Sequence, residues 1–182
     1  DLESEVSKIA VYARVSAEHK LRIVKAWKKH GAVVAMTGDG VNDAPAIKEA
    51  SIGVSMGITG TDVTKEASDM VITDDNFASI VAAVEEGRGI YDNIKKSVHY
   101  LLSCNAGEIL TMLFASIFNL PLPLFPIQIL WINIATDGLP ALALGVDSVA
   151  PDIMKKQARR STEQIIDRNL GSLIVFQGFL IA

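Results

Sequence analysis

The sequence predicts two architectures in series: an α/β unit with a parallel sheet, then an all-α transmembrane helical hairpin. Three observations predict this. Strand and helix signals alternate through residues 1–97, charge nearly vanishes over 98–146, and an acidic glycine-bearing turn, TGDGVNDAP at 37–45, follows an apolar run. Residues 1–97 carry 12 Lys/Arg and 15 Asp/Glu, whereas 98–146 carry no Lys or Arg and only two carboxylates, Glu108 and Asp137. The mean hydropathy of +0.31 is high for a soluble protein and argues for a membrane component.

In chain order, residues 9–15 read as a first strand. Ser16 then caps a helix over 17–30, whose Leu21, Ile23, Val24 and Trp27 form a stripe for burial against a sheet. The run 32–36 is apolar enough for a buried parallel strand, and Gly38 and Gly40 permit the tight turn that follows. A short helix from Ala44, a strand at 52–56, a helix at 61–68, a strand at 70–73 and a helix at 77–86 complete the unit. Such βα alternation makes a parallel sheet with helices on both faces.

Residues 90–120 contain no proline and read as one helix of about 31 residues, roughly 46 Å long. A bilayer core takes about 30 Å of it, which leaves Asp92, Lys95 and Lys96 on a cytosolic stalk joining the sheet unit to the membrane. The segments 98–120 and 126–146 are each long enough to span, and the short proline-bearing linker 121–125 makes them antiparallel. Lys95 and Lys96 precede the hairpin and Lys155, Lys156, Arg159 and Arg160 follow it, so the positive-inside rule places both ends in the cytosol. The resulting organisation is an α/β unit at 1–89, a stalk at 90–97, the hairpin at 98–146, a cytosolic loop at 147–169 and the start of a further transmembrane helix at 170–182. Because that last apolar run is too short to span, the sequence reads as a piece of a longer polypeptide. The loop's basic cluster reads as a topology determinant and not as a nucleic-acid patch. Cys104, the only cysteine, reads as a packed small hydrophobe and excludes a thiolate metal framework.

Two constellations can carry chemistry. The first places Asp39, Asn42 and Asp43 at the carboxyl end of a strand, where open α/β sheets put ligands; their oxygen donors suit Mg²⁺ and phosphate. Lys20, on the helix after the first strand, can reach the same crevice. By spacing alone, Asp39 and Asp43 serve equally well as turn and cap residues. The second lies in the hairpin. Asn105 and Glu108 are three residues apart on one helix, and Asn133, Thr136 and Asp137, at i, i+3 and i+4, share a face of the other. An intramembrane carboxylate costs about 2.5–3.5 kcal/mol on insertion scales, so two without Lys or Arg imply a compensating cation or proton. Gly138 and Pro140 should loosen the second helix and free carbonyls as further ligands. A polar contact between protonated side chains is the alternative.

The string TGDGVNDAP resembles the hinge motif of P-type cation-transporting ATPases, whose phosphorylation domain has a haloacid-dehalogenase-like Rossmann fold. The resemblance implies that 1–89 is the carboxyl-terminal part of that domain, with ATP as substrate. It implies Lys20, Asp39, Asn42 and Asp43 as catalytic residues, Asp39 toward Mg²⁺ and Lys20 and Asn42 toward the phosphoryl group. The phosphorylated aspartate of the family lies in a DKTGT string, which this sequence lacks; the chain by itself is therefore expected to be inactive, with ATP bound through a nucleotide-binding domain it does not contain. The set Asn105, Glu108, Asn133, Thr136 and Asp137 matches the ligands that sarcoplasmic-reticulum-type calcium pumps take from their fifth and sixth transmembrane helices. There Asn105, Glu108 and Thr136 would serve one Ca²⁺, Asn133 a second, and Asp137 both. The expectation is part of a multi-pass calcium pump of a lipid membrane, the cell membrane foremost, with no nucleic-acid partner and no regulatory partner specified. A pump for Mn²⁺, Na⁺ or H⁺, a membrane-anchored haloacid-dehalogenase-like phosphatase and a non-enzymatic membrane scaffold stand as alternatives.

Overall fold

A computed structural model describes residues 2–159 and 163–182, which divide into two compact units, Asp1–Ala83 and Val84–Ala182. Arg160 of the basic cluster lies outside the described residues.

The first unit holds a three-stranded parallel sheet in the order β1 (Ala35–Gly38), β2 (Ile52–Met56) and β3 (Met70–Ile72). Thr37 pairs with Val54, and Val54 with Met70. A short helix α1 (Leu2–Glu5) precedes α2 (Ala17–Lys29), and α3 (Ala44–Glu49) and α4 (Asp62–Ala67) connect the strands. Ser16 caps α2 as its sequence suggested, accepting the His19 N–H at 3.3 Å. The core is Val24, Ala26, Ala46, Ile47, Val54 and Ile72. Gly53 matters here, since a Cβ on it would lie 2.6 Å from Ile47 Cγ2, so glycine lets α3 settle on β2.

Two sequence expectations fail in this unit. Residues 9–15 form no strand: no neighbouring strand pairs with them, Val11 is 79% exposed, and Arg14 adopts φ +51°, which breaks an extended run. β1 begins at Ala35 and not at residue 32, because the Val34 carbonyl is shared by the Ser51 and Ile52 N–H groups and the regular ladder starts after it.

A single helix, α5 (Phe77–Ile117), replaces the two helices expected at 77–86 and 90–120. Its 41 residues span about 62 Å. Gly87 and Gly89 do not break it, and Gly89 is packed under the Val149 side chain, where a Cβ would approach Val149 Cγ2 to 2.4 Å. The helix stops at Ile117 because Asn119 turns left-handed at φ +52° while Leu120 N–H closes onto the Ala115 carbonyl.

The second apolar stretch starts at Pro126, with the Phe125 N–H donating to Gln128 Oε1 at 2.8 Å. It consists of α6 (Pro126–Trp131), a π-helical segment Ile132–Asp137, and α7 (Gly138–Gly145). A last helix, α8 (Arg168–Ile181), is capped by the Asp167 side chain through the Leu170 N–H. α5 and Pro126–Gly145 are both long and apolar enough to cross a membrane. Their side chains are arranged inside out: Ile109, Ile127, Trp131, Leu139 and Leu142 are exposed, whereas Ser103, Gly107 and Asp137 are buried. That pattern suits lipid as the surrounding solvent, with small and polar residues between helices. Close α5–α8 packing follows the same rule, since a Cβ on Gly178 would meet Ala106 Cβ at 2.7 Å.

Candidate functional site

In the first unit the loops after all three strands gather at the carboxyl end of the sheet, as parallel topology requires. After β1 comes a 3₁₀ turn, Val41–Asp43, closed by the Asp43 N–H on the Gly40 carbonyl at 2.8 Å. Asp43 is turned inward, 6% exposed, and accepts from Lys20 Nζ at 2.5 Å. This pair needs Gly38: a Cβ there would lie 2.5 Å from Asp43 Cβ. Asp39 and Asn42 are exposed, and no hydrogen bond among the described residues engages either side chain. Lys20 and Asp43 are thus brought together as a half-buried anchor, while Asp39 and Asn42 present free oxygens and an amide above it.

Sequence reasoning missed two supports of this loop. The Asp39 carbonyl accepts the Thr61 N–H at 3.0 Å and lies 3.5 Å from the hydroxyl of the fully buried Thr64, whose stronger bond is to the Thr61 carbonyl at 2.7 Å. The T-x-x-T spacing at the start of α4 was the available signal. Asp75 accepts from the Ile58 N–H, the Thr59 N–H and the Thr59 hydroxyl at 2.7–2.9 Å, tying the loop after β3 to the loop after β2. Partial desolvation acts to raise the pKa of Asp75, but these bonds outweigh it and lower the value from 3.8 to about 2.

In the second unit Asn133 Nδ2 donates to Glu108 Oε2 at 2.9 Å and to the Ile129 carbonyl at 3.0 Å, so the two helices meet at that pair. Asn105 Nδ2 donates to the Leu101 carbonyl at 2.8 Å. Asn133 spends both its N–H groups on these bonds and Asn105 one of its two, and both keep Oδ1 as an acceptor. Glu108 Oε1 and Asp137 Oδ2 are buried with no hydrogen-bond partner among the described residues, and Asp137 is only 4% exposed. Orphaned buried carboxylate oxygens are costly and call for a proton or a cation.

The expected shared face of Asn133, Thr136 and Asp137 is only partly realised. Asp137 is buried but Thr136 is exposed. The π-helical segment explains this: its i→i+5 bonds widen the turn, so the i+3 residue swings further from i than in an α-helix. Pro140, just beyond, has no N–H to return to the carbonyls of this turn.

Residues 121–182 match the family described as Cation transporting ATPase, C-terminus. The chain is 61% identical over 181 residues to a calcium-transporting ATPase of Bacillus subtilis (strain 168), covering 100% of the chain and 20% of the relative. It is 49% identical over 180 residues to the calcium-transporting ATPase type 2C member 1 of Mus musculus, covering 99% of the chain and 20% of that protein. A crystal structure of a zinc-transporting PIB-type ATPase in its E2.Pi state aligns with 91% of the chain and 20% of its own at 23% identity, with a TM-score of 0.43. The chain therefore spans about a fifth of the length of the curated relatives it matches.

Proposed function

We propose that this chain, which corresponds over its whole length to a segment of the P-type calcium-transporting ATPases, serves an ATP-driven calcium pump in the complete protein. It would supply the hinge that meets the phosphoryl group and part of the membrane site that takes Ca²⁺. The observation that carries the reading is the pair of buried, unpartnered oxygens, Glu108 Oε1 and Asp137 Oδ2, in two apolar helices whose stretch 98–146 contains no Lys or Arg. A cation is the species that would satisfy both.

Ca²⁺ takes six to eight oxygens. Glu108, Asp137 and the Oδ1 atoms of Asn105 and Asn133 offer part of that set, and the π-helical turn ahead of Pro140 adds carbonyls. Thr136 joins only if the π turn rewinds to α geometry when the ion binds, which returns i+3 toward the face of i. The remaining ligands belong to other segments of the pump.

At the hinge, Asp43 holds the Lys20 ammonium at the carboxyl end of β1, where it faces the anionic group to be transferred from ATP. Asn42 is placed to donate to phosphoryl oxygens. The exposed, unengaged carboxylate of Asp39 fits a Mg²⁺ ligand; that ion, when bound, supplies neutralisation of phosphoryl charge. Thr61 and Thr64 fix the Asp39 backbone from below.

The test is phosphorylation of the complete pump from ATP against free Ca²⁺. Asp137→Asn should abolish Ca²⁺ activation and Glu108→Gln should weaken it, with folding checked by Ca²⁺-independent phosphorylation from inorganic phosphate. Activation at wild-type Ca²⁺ in both variants refutes the site, and activation by Mn²⁺ or Na⁺ in place of Ca²⁺ reassigns the ion.

A further inference from the structure

Beside the part of α5 that precedes its membrane-spanning stretch lies a cavity of about 660 Å³, walled by one turn after another of that helix and by the loop that follows α7. It shares no residue with the cation site. The loop is pinned to the helix: Arg88 donates to the Ile153 and Lys156 carbonyls at 3.1 and 2.9 Å, and Asn93 to the Asp147 carbonyl at 2.6 Å. The cavity is thus part of the fold of this unit.

Its charges do not cancel. Arg88 is committed to carbonyls, and Lys156 is paired with Asp92 at 2.9 Å. Among the described residues Lys95 has no hydrogen-bond or ion-pair partner, and Arg159, held over the Tyr91 ring at 3.8 Å, has no carboxylate partner. Glu163 is the one further acid in the wall. Tyr91 also lines the cavity, and its buried hydroxyl lacks a hydrogen-bond partner among the described residues. Two unneutralised cations and an unused hydroxyl around one cavity make a receptor for a phosphate-bearing anion.

Depth decides which anion. Counting back about 30 Å, or 20 residues, from the end of α5 at Ile117 puts the edge of the hydrocarbon at Val98. Lys95 then lies about 5 Å beyond that edge, within a headgroup layer that extends about 5–8 Å past the core, and Tyr91, at about 10 Å, lies just outside that layer. Long basic side chains reach back toward it. We infer that this cavity binds the headgroup of an anionic phospholipid, through Lys95, Arg159 and the Tyr91 hydroxyl. The inference rests on the membrane-spanning assignment of α5 and not on the identity of the transported ion, so failure of the Ca²⁺ site leaves it standing.

The experiment is native mass spectrometry of this chain in detergent with equal phosphatidylglycerol and phosphatidylcholine, reading the ratio of the two lipids retained. The wild-type chain should favour phosphatidylglycerol. Lys95→Gln with Arg159→Gln should lower that preference by about 25-fold, about fivefold for each cation removed. Tyr91→Phe, which removes a hydroxyl and no charge, should lower it by a smaller factor. Lys25→Gln with Lys28→Gln, which removes two charges from α2, should leave it unchanged. An unaltered ratio in the Lys95/Arg159 variant, or an equal fall in the Lys25/Lys28 variant, overturns the proposal. Displacement of phosphatidylglycerol by millimolar inorganic phosphate would also overturn it, assigning the cavity to a free anion. If circular dichroism shows the double variant unfolded, the Tyr91→Phe ratio decides, and an unchanged value there refutes the site.

Discussion

Replacing Lys20 with Met leaves the Asp43 carboxylate, only 9% exposed in its side chain, without its counter-charge. The loss can be bracketed. An exposed ion pair contributes about 0–1 kcal/mol, and stripping one partner from a buried pair costs about 3–5 kcal/mol. The Lys20 side chain is 34% exposed, so water partly replaces the ammonium, and the cost falls between those limits at about 2 kcal/mol. Asp43→Asn keeps the shape and an acceptor for Lys20 and should cost about 1 kcal/mol. Once Asp43 is neutral, losing Lys20 costs little more. The double variant should therefore be more stable than the sum of the single losses by about 1–2 kcal/mol. The assay is amide hydrogen exchange at β2, the central strand, in the full chain, where 2 kcal/mol appears as roughly 30-fold faster exchange. A less than twofold change in Lys20→Met, or strict additivity in the double variant, refutes the claim that this pair anchors the hinge.

Two further outcomes follow from the same unit. Gly38→Ala forces a methyl to 2.5 Å from Asp43 Cβ and should destabilise the unit by about 1–3 kcal/mol, whereas the same change at Gly40, where the nearest atom is 3.9 Å away, should cost far less; β2 exchange rates compare them directly. The pKa of Asp75 in the folded chain, about 2, lies below its ordinary 3.8, so its stabilising contribution is complete above about pH 4 and is lost as pH falls through 2. The stability difference between wild type and Asp75→Asn should accordingly hold constant from pH 7 to 4 and shrink toward pH 2. A difference that shrinks already between pH 7 and 5 contradicts the assignment.

What the sequence determined by itself was whatever depends on local pattern. The loss of charge after residue 97 fixed two membrane-length segments, because hydropathy and helix length are properties of contiguous residues. The βα alternation fixed a parallel sheet, and Ser16 fixed the start of α2 within one hydrogen bond. TGDGVNDAP marked the turn where Lys20 and Asp43 meet, although nothing in it says that Asp43 turns inward while Asp39 stays in solvent. Only tertiary structure decided that, through the close approach at Gly38 and the reach of a lysine 23 residues away. Residues 9–15 carry a strand-like composition but no strand, because pairing needs a neighbour that composition cannot guarantee. The helices expected at 77–86 and 90–120 left a gap at 87–89, yet Gly89 is the contact on which a loop packs, and one helix runs through the gap. The exposure of Thr136 and burial of Asp137 were hidden for a related reason. Face arguments assume an α-helical period, and the widened turn at Ile132–Asp137 is set by backbone bonds across a segment whose next turn contains Pro140.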